Sequence, residues 1–304
     1  MTADAERSLE NALYVVATPI GNLGDITLRA IETLKSASVI AAEDTRVTRG
    51  LLNHFGIKTR LIAVHEHNER NAADGVVNLL QQGQSVALVT DAGTPAVSDP
   101  GALVVNAVRM AGFKVIPIPG ASAVVAAVSA SGEGEHGFTF AGFLPSGAGD
   151  RKRALEGWKS GQHALVFYET PHRIVEMVAA LLEIFGGERE IVLAREITKK
   201  FENIHRVALR DALAWLEGDS NNTRGEFVVI LARPPTGAPL EGKMAQEQEQ
   251  EQELERTLNI LLAELPLKQA VAVAVKLTGE KKNKVYDLAL ALKAGDGKGA
   301  IDAA

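Results

Sequence analysis

Short apolar runs rich in β-branched residues alternate, through residue 118, with stretches whose apolar positions recur every three or four residues. Leu13–Thr18 (LYVVAT) is the first run. It is closed by the turn-forming Pro19-Ile20-Gly21-Asn22, and Leu28, Ile31 and Leu34 then fall at helical spacing behind Asp25, a natural N-cap. The same alternation predicts strands over 39–42, 61–64, 85–90 and 113–118. Helices are predicted over 45–55, 71–82 and 102–111, with Gly56 and Gly83 as stops for the first two. This order makes an α/β domain with a mostly parallel sheet.

A small-residue helix through Ser131 follows, and the alternation then becomes less regular. Strands are predicted over 138–142, 164–168, 191–195, 204–209 and 227–232, with helices over 151–157, 172–185 and 210–216 between them. Several of the connections are short, which points to a mixed sheet in a second α/β domain. The Pro234-Pro235 to Pro239 stretch breaks structure, and Gln246–Glu253 is a low-complexity QE alternation. Apolar spacing beyond it predicts three helices over 254–265, 267–277 and 282–292, a compact helix-turn-helix module. The expected division is thus an N-terminal domain over 12–120, a second over 121–235, a linker over 236–253 and the module over 254–294.

Composition narrows the function classes. The 304 residues are 46% hydrophobic and 23% charged, and no apolar run approaches a membrane span of roughly 20 residues. The polar, acidic leader MTADAERSLEN lacks the basic and apolar regions of a secretory signal, so a cytoplasmic location is expected. Zero cysteines exclude disulfides, thiolate metal sites and cysteine nucleophiles. A net charge of -6 argues against a uniformly phosphate-binding surface. Five lysines between Lys268 and Lys284, against Glu280 alone, make the helical module a local exception, either a phosphate-contacting patch or a solvated helix face.

Asp91–Gly101 (DAGTPAVSDPG) is the densest candidate site. It follows a strand and combines glycines, prolines and the carboxylates of Asp91 and Asp99. Thr18–Asp25 (TPIGNLGD) and Pro119–Ala123 (PGASA) follow strands of the same expected sheet, so a shared cleft at its carboxyl edge is expected. The first of these fits neither GxGxxG nor a Walker loop, and none of the three carries Lys or Arg. That counts against a triphosphate and suits an uncharged or zwitterionic ligand. Ala41–Arg46 (AAEDTR) ends a strand with Glu43, Asp44 and Arg46, groups that could hold a proton or orient a hydroxyl, or simply cap a helix. His65-Glu66-His67-Asn68-Glu69 has two imidazoles on one face. No third His or Cys follows at ligand spacing, so capping or hydrogen bonding is expected rather than metal binding. Tyr168–Arg173 (YETPHR) and Arg195–Lys200 (REITKK) are charged strand exits, either surface ion pairs or a cleft wall facing the first domain.

LYVVATPIGNLGD, AAEDTR, HEHNE, DAGTPAVSDPG, IPGASA, GFLP, YETPHR and REITK occur in one order over residues 13–233. In that order they resemble the tetrapyrrole methylase superfamily, the class III S-adenosylmethionine-dependent methyltransferases, and within it the bacterial enzymes that methylate small-subunit rRNA. The tail LPLKQAVAVAVKLTGEKKNKVYDLAL is similar to the C-terminal helix-turn-helix of those enzymes. The resemblance implies methyl transfer from S-adenosylmethionine to a cytidine ribose 2′-hydroxyl in 16S rRNA near the decoding centre of the small ribosomal subunit. It also implies a homodimer and a cofactor folded between the two α/β domains. Carried over by motif, Pro19, Asp91, Gly93, Thr94, Val97, Ser122 and Ala123 line or shape the cofactor site, and Tyr168, Arg195 and Glu196 approach from the second domain. Asp99 shapes the loop or binds the cofactor on the same reading. Because a sulfonium already activates the methyl group, the protein must align an oxygen and remove its proton, with no metal required. Glu43 or Asp44 is expected to accept or orient that proton, and Arg46 with Lys199 to hold flanking phosphate. Asn203 after Glu202, Val207 and Thr90 depart from the family's common paired glutamates, glycine and serine. Two rivals remain: a methylase of small tetrapyrroles, and a non-enzymatic, ligand-sensing nucleic-acid-binding protein.

Overall fold

The computed structural model describes residues 9–64, 69–234 and 254–296. In the first sheet, β1 (Ala12–Val16), β2 (Val39–Ala42), β3 (Arg60–Ala63), β4 (Val86–Val89) and β5 (Lys114–Ile118) pair in the order β3-β2-β4-β1-β5. Every pairing is parallel. The central strands are apolar at successive positions because both faces of the sheet are covered. Tyr14, Val16, Ile40 and Ala42 pack under Leu34 of α1 (Leu28–Ser36) and Leu52 of α2 (Thr45–His54). Leu13, Ala41, Val86 and Leu88 face the other way, onto Val76 and Leu80 of α3 (Glu69–Gln81) and Val104 and Val108 of α4 (Ala102–Met110). Asp25, the N-cap expected for α1, lies instead in a short 3₁₀ turn over Leu23–Asp25, and Thr27 caps the helix by accepting from the Ala30 amide at 3.1 Å. A threonine directly before the first helical residue is better placed for that bond than an acid three residues before it.

The second sheet contains β6 (Phe138–Phe143), β7 (Ala164–Glu169), β8 (Glu190–Arg195), β9 (Asn203–Ala208) and β10 (Phe227–Leu231), in the order β6-β7-β10-β8-β9. Only β6 and β7 run parallel, so this sheet is mixed. Its residues alternate strictly between two cores. Phe167, Leu193 and Val229 face α6 (Ala148–Glu156), α7 (Ile174–Phe185) and α8 (Leu209–Gly218), while Val166, Val192 and Ile230 face α5 (Ala123–Ser131). Each fully buried Leu, Ile or Phe here contributes roughly 1.5–3 kcal/mol over its exposed state.

The third part stands by itself. A helix over 254–264 (α9), α10 (Leu267–Thr278) and α11 (Lys282–Asp296) share a small core of Leu254, Leu258, Val271, Ala274, Val285 and Ala289. Gly279, with φ +70°, ends α10 in the left-handed conformation that glycine adopts without strain, and α11 begins three residues later. Lys268, Lys276, Lys281, Lys282 and Lys284 are all exposed. Among the described residues no helix is long and apolar enough to cross a membrane.

The order of the first sheet fixes where a ligand can sit. From β1 the chain crosses to β2 on one side, and from the neighbouring β4 it crosses to β5 on the other. The two connections part at the β1/β4 carboxyl ends and leave a crevice there. Glu69 holds one side of it, because its Oε1 accepts both the Gly101 and Leu103 amides, at 2.8 and 2.9 Å, at the start of α4. Glu69→Ala removes an acceptor from an otherwise uncapped helix start. It should destabilise the protein by about 1–2 kcal/mol in urea denaturation; an unchanged midpoint would show that the clamp contributes nothing.

Candidate functional site

Three loops close on the crevice. Thr18, just past β1, forms a two-way backbone bridge with Gly93 at 2.8 and 3.0 Å, and its hydroxyl donates to the Thr90 carbonyl at 3.1 Å. Thr94 donates from its hydroxyl to the Ala121 carbonyl at 3.1 Å, which ties the β4 loop to the β5 loop. The β4 loop is bent sharply: Gly93, Ala96, Ser98 and Gly101 have φ of +79°, +66°, +63° and +128°. Ala96 and Ser98 occupy a region that residues with a Cβ seldom adopt, so surrounding structure holds them there. Past β8, Glu196 and Thr198 have φ of +51° and +65°. These four are the only described non-glycine residues with positive φ, and they fall on loops that face each other across one gap.

That gap is a cleft of about 200 Å³ between the two sheets. Gly93, Thr94, Val97, Ser98 and Asp99 form one wall, Ile20, Ser122 and Ala123 its base, and Phe143, Tyr168, Glu196, Lys199 and Val228 the wall from the second sheet. Antiparallel pairing brings the latter together: Phe227, at the start of β10, sits opposite both Glu169 and Arg195, at the ends of β7 and β8. The loops touch directly as well. A Cβ on Gly21 would collide with the Lys199 side chain, and one on Gly142 would lie 2.8 Å from Ser98 Oγ. Tyr168 packs edge-on to Phe140 at 4.9 Å and beside Phe143 at 5.6 Å, and Phe143 is 49% exposed at the mouth. A wider depression of about 550 Å³ adjoins the base, sharing Ile20 and Ser122 and reaching Pro119 and Thr198.

The cleft is acidic. Among the described residues, Asp99, Glu169, Glu196 and Glu226 line it together with a single cation, Lys199. Lys199 Nζ donates to Glu196 Oε1 at 2.9 Å and to Glu226 Oε2 at 2.7 Å. Burial works against its charge, yet these two carboxylates outweigh burial and raise its pKa. Burial likewise opposes ionisation of Glu196, but the Glu226 amide and Lys199 prevail and lower its pKa. Asp99 differs: burial, reinforced by the negative charges of Glu43 and Asp91, pushes its carboxyl up to about 6. Burial raises Tyr168 as well, with the charge of Asp99 adding to it. Glu169 is 98% hidden, holding the Thr170 amide at 2.8 Å and facing Arg173 at 3.4 Å, so its carboxylate braces β7.

Of the residues expected at the cofactor, Gly93, Thr94, Val97, Ser122, Ala123, Tyr168 and Glu196 lie on the cleft. Three do not. Pro19 is buried behind it while the next residue, Ile20, reaches the surface; Asp91 Oδ1 accepts the Asp44 amide at 3.1 Å; and Arg195 donates from its guanidinium to the Arg224 carbonyl at 3.3 Å. Of the expected catalytic set only Lys199 lines the cleft. Asp44 is the N-cap of α2, accepts the Arg46 amide at 2.7 Å and pairs with the Arg46 guanidinium at 2.6 Å, which holds its carboxyl at about 2. Arg46 itself is 89% exposed. Glu43 accepts the Asp91 amide at 3.3 Å, one layer behind the cleft surface. Glu69 caps α4, and His65–Asn68 lie outside the described residues. Phe143 and Ile20 sit within motifs visible in the sequence but are single apolar residues without a chemical signature. Glu226 carries no local signal at all, because only strand pairing brings it to Lys199.

A carboxyl whose folded pKa lies above its unfolded value binds its proton more tightly when folded, so it costs stability as pH rises through that range. Asp99→Asn should therefore stabilise the protein at pH 7 by about 1 kcal/mol, a figure discounted for partial exposure, and leave it unchanged at pH 4. Equal effects at the two pH values in thermal denaturation would mean that Asp99 ionises normally.

Comparison with known proteins agrees with this architecture. The family of tetrapyrrole (corrin/porphyrin) methylases matches residues 12–213, and the RsmI C-terminal HTH domain matches residues 248–293. Ribosomal RNA small subunit methyltransferase I of Escherichia coli O157:H7 is 45% identical over 92% of this chain and 95% of its own length. The proteins of that name from Pseudomonas aeruginosa and Neisseria meningitidis serogroup B are 46% and 48% identical over 91% and 92% of this chain and 96% and 94% of their own. Among solved structures, the methyltransferase CobJ superposes with a TM-score of 0.56 at 22% identity, covering 74% of this chain and 97% of its own. Uroporphyrin-III-C-methyltransferase from Thermus thermophilus superposes with a TM-score of 0.53, also at 22% identity, over 72% of this chain and 93% of its own. At those identities the structures share a fold and no more. With its helical module and nearly full-length relatives, the chain belongs to the ribosomal RNA small subunit methyltransferase I family, within the tetrapyrrole methylases.

Proposed function

We propose that the cleft binds S-adenosylmethionine and that the protein transfers the methyl group to the 2′-hydroxyl of a cytidine ribose in 16S rRNA, near the decoding centre of the small ribosomal subunit. The charge of the cleft carries this reading. Among the described residues its carboxylates outnumber its one cation, and that cation is already paired, so the site favours a positively charged ligand over a polyphosphate. The ligand supplies a methyl group already activated by the positive sulfur. The names borne by relatives at 45–48% identity direct the substrate to rRNA rather than to a tetrapyrrole.

The protein's own residues bind, orient and exclude water. The backbone at Gly93 and Thr94, with Val97, Ser122 and Ala123, cradles the cofactor, and Tyr168 and Glu196 close over it from the second sheet. Pro19 and Asp91 act from behind, shaping the β1 and β4 loops, and Arg195 anchors the facing loop through Arg224. Glu43 and Asp44 orient the loops around the reacting hydroxyl. Arg46, exposed in the first turn of α2, is the cation offered to flanking phosphate, while Lys199 is committed to Glu196 and Glu226. The exposed lysines of the helical module add sequence-independent grip on RNA. The working form is a homodimer in the cytoplasm.

The corrin-methylase reading leaves a basic helical module without a use, and the ligand-sensor reading predicts no turnover. Incubation with labelled S-adenosylmethionine and small subunits separates all three. Label in a ribose-methylated cytidine, resistant to alkaline cleavage because the 2′-oxygen is blocked, is the expected result; label on a base, or none, contradicts it. Two variants divide the site. Ala123→Phe fills the base of the cleft and should weaken S-adenosylmethionine binding at least tenfold by calorimetry while leaving the fold intact. The triple change Lys281→Ala, Lys282→Ala and Lys284→Ala should weaken rRNA binding and flatten its dependence on log salt by roughly 0.7–0.9 per lysine. An unchanged salt slope would remove the module from the RNA interface.

A further inference from the structure

We propose that the depression beside the cofactor cleft seats the base of the target cytidine, and that Asp25 and Thr198 bind that base as cytosine rather than uracil. The proposal rests on the methyl-transfer reading above and deepens it by naming the site that selects the nucleotide.

A methyl group leaves sulfur toward an oxygen on the opposite side of its carbon, so the acceptor needs space that adjoins the cofactor's without overlapping it. The depression meets that condition. It shares Ile20 and Ser122 with the cleft and extends from them to Asp25, Pro119, Ala126 and Thr198. Its volume of about 550 Å³ falls within the roughly 300–1,000 Å³ of small-ligand sites. The Lys199 side chain lies against Gly21, which joins the loop after β8 to the β1 loop next to the lining residues Ile20 and Thr198. A nucleotide whose ribose reaches the methyl group enters unstacked from its neighbours, so its base needs a seat on the protein.

Thr198 is a residue that the fold alone does not explain. It is β-branched yet has φ +65°, a conformation that such residues adopt only under constraint. Its amide donates to Glu202 Oε2 at 2.6 Å, and the Lys199 amide donates to the Glu196 carbonyl at 3.0 Å, so the turn is held on both sides. Its hydroxyl, by contrast, is buried without a hydrogen-bond partner. Thr198 lines the depression, and a turn about its Cα–Cβ bond brings the hydroxyl onto a ligand there. A ligand thus supplies the partner that the protein withholds.

Asp25 makes the selection. It ends the short turn Leu23–Asp25, where its amide donates to the Asn22 carbonyl at 3.0 Å. Among the described residues its carboxylate has no hydrogen-bond or ion-pair partner, and no cation lines the depression, so the site is not built for phosphate. Ile20, Pro119 and Ala126 offer apolar contact to a flat ring. A carboxylate only accepts, so it calls for a donor. Cytosine presents an exocyclic amine, whereas uracil presents a carbonyl at the same place, oxygen against oxygen. The Thr198 hydroxyl donates or accepts and so holds either base, which leaves the choice to Asp25.

The test compares full-length wild type, Asp25→Asn and Thr198→Val, with S-adenosylmethionine and small subunits reconstituted to carry cytidine or uridine at the acceptor position. Wild type should prefer cytidine by at least about tenfold in kcat/KM. An Asn side chain can turn either its carbonyl or its amine to the base, so in Asp25→Asn the preference should fall within about threefold, with transfer to uridine faster than wild type achieves. A purely structural role for Asp25 gives no such gain. Thr198→Val should raise KM for cytidine-bearing subunits by about tenfold, yet its thermal midpoint should be unchanged or higher because an unpaired buried hydroxyl is removed. Both variants should bind S-adenosylmethionine within about threefold of wild type by calorimetry. A wild type indifferent to the base, an Asp25→Asn variant that keeps the wild-type preference or is inactive on both subunits, a Thr198→Val variant with unchanged KM, or a loss of cofactor affinity that accounts for the lost rate would each overturn the proposal. A wild-type protein that transfers no methyl to either subunit would overturn the methyl-transfer reading and this proposal with it. Wild-type transfer to cytidine with an unaltered preference in Asp25→Asn would overturn this proposal alone.

Discussion

The β4 loop must reverse over twelve residues between a fully buried strand and a helix that starts without a side-chain cap of its own. It does so through four left-handed residues, two of them not glycine, and such a path is stable only where other groups hold it. The Thr18–Gly93 bridge fixes its beginning, Thr94 ties it to the β5 loop, and Glu69 fastens its end. While Ile20, Ser122 and Ala123 of the neighbouring loops supply the base of the cleft, one whole wall depends on that pinned loop. Its backbone comes close enough to line a ligand, and Asp99 is left facing inward with few partners.

The second sheet contributes electrostatics more than shape. Strand pairing sets Glu226 beside Glu196, so Lys199, the one cation among the described lining residues, is neutralised before any ligand arrives. A methyl donor with positive sulfur then meets a site that carries excess negative charge, while a polyphosphate meets nothing that would hold it. The raised proton affinity of Asp99 has another origin, its own burial with the charges of Glu43 and Asp91 behind it.

Much of this was legible in the sequence because the signals are local. Buried parallel strands read as unbroken apolar runs, and Gly56, Gly83 and Gly279 mark helix ends by a conformation that glycine adopts freely. The three glycine- and proline-bearing loops could be assigned to one sheet edge from their places after strands. What the sequence could not separate was the use of each acid. Asp44 beside Arg46 reads equally as base or cap, and the choice depends on the direction in which α2 leaves the strand. Glu43 and Asp99 are 56 positions apart in the chain, and their coupling exists only because β2 and β4 are neighbours. Pro19 and Ile20 show the same limit: which of two adjacent residues faces the cleft is set by a single peptide's orientation.

The central claim is that the methyl donor binds in the cleft between the two sheets, against the β4 loop. A crystal structure of the protein with S-adenosylhomocysteine, the product left after transfer, tests this most directly. The account predicts the ligand against Gly93, Thr94, Ser122 and Ala123, between the β4 loop and Tyr168. A ligand bound outside these loops would contradict it.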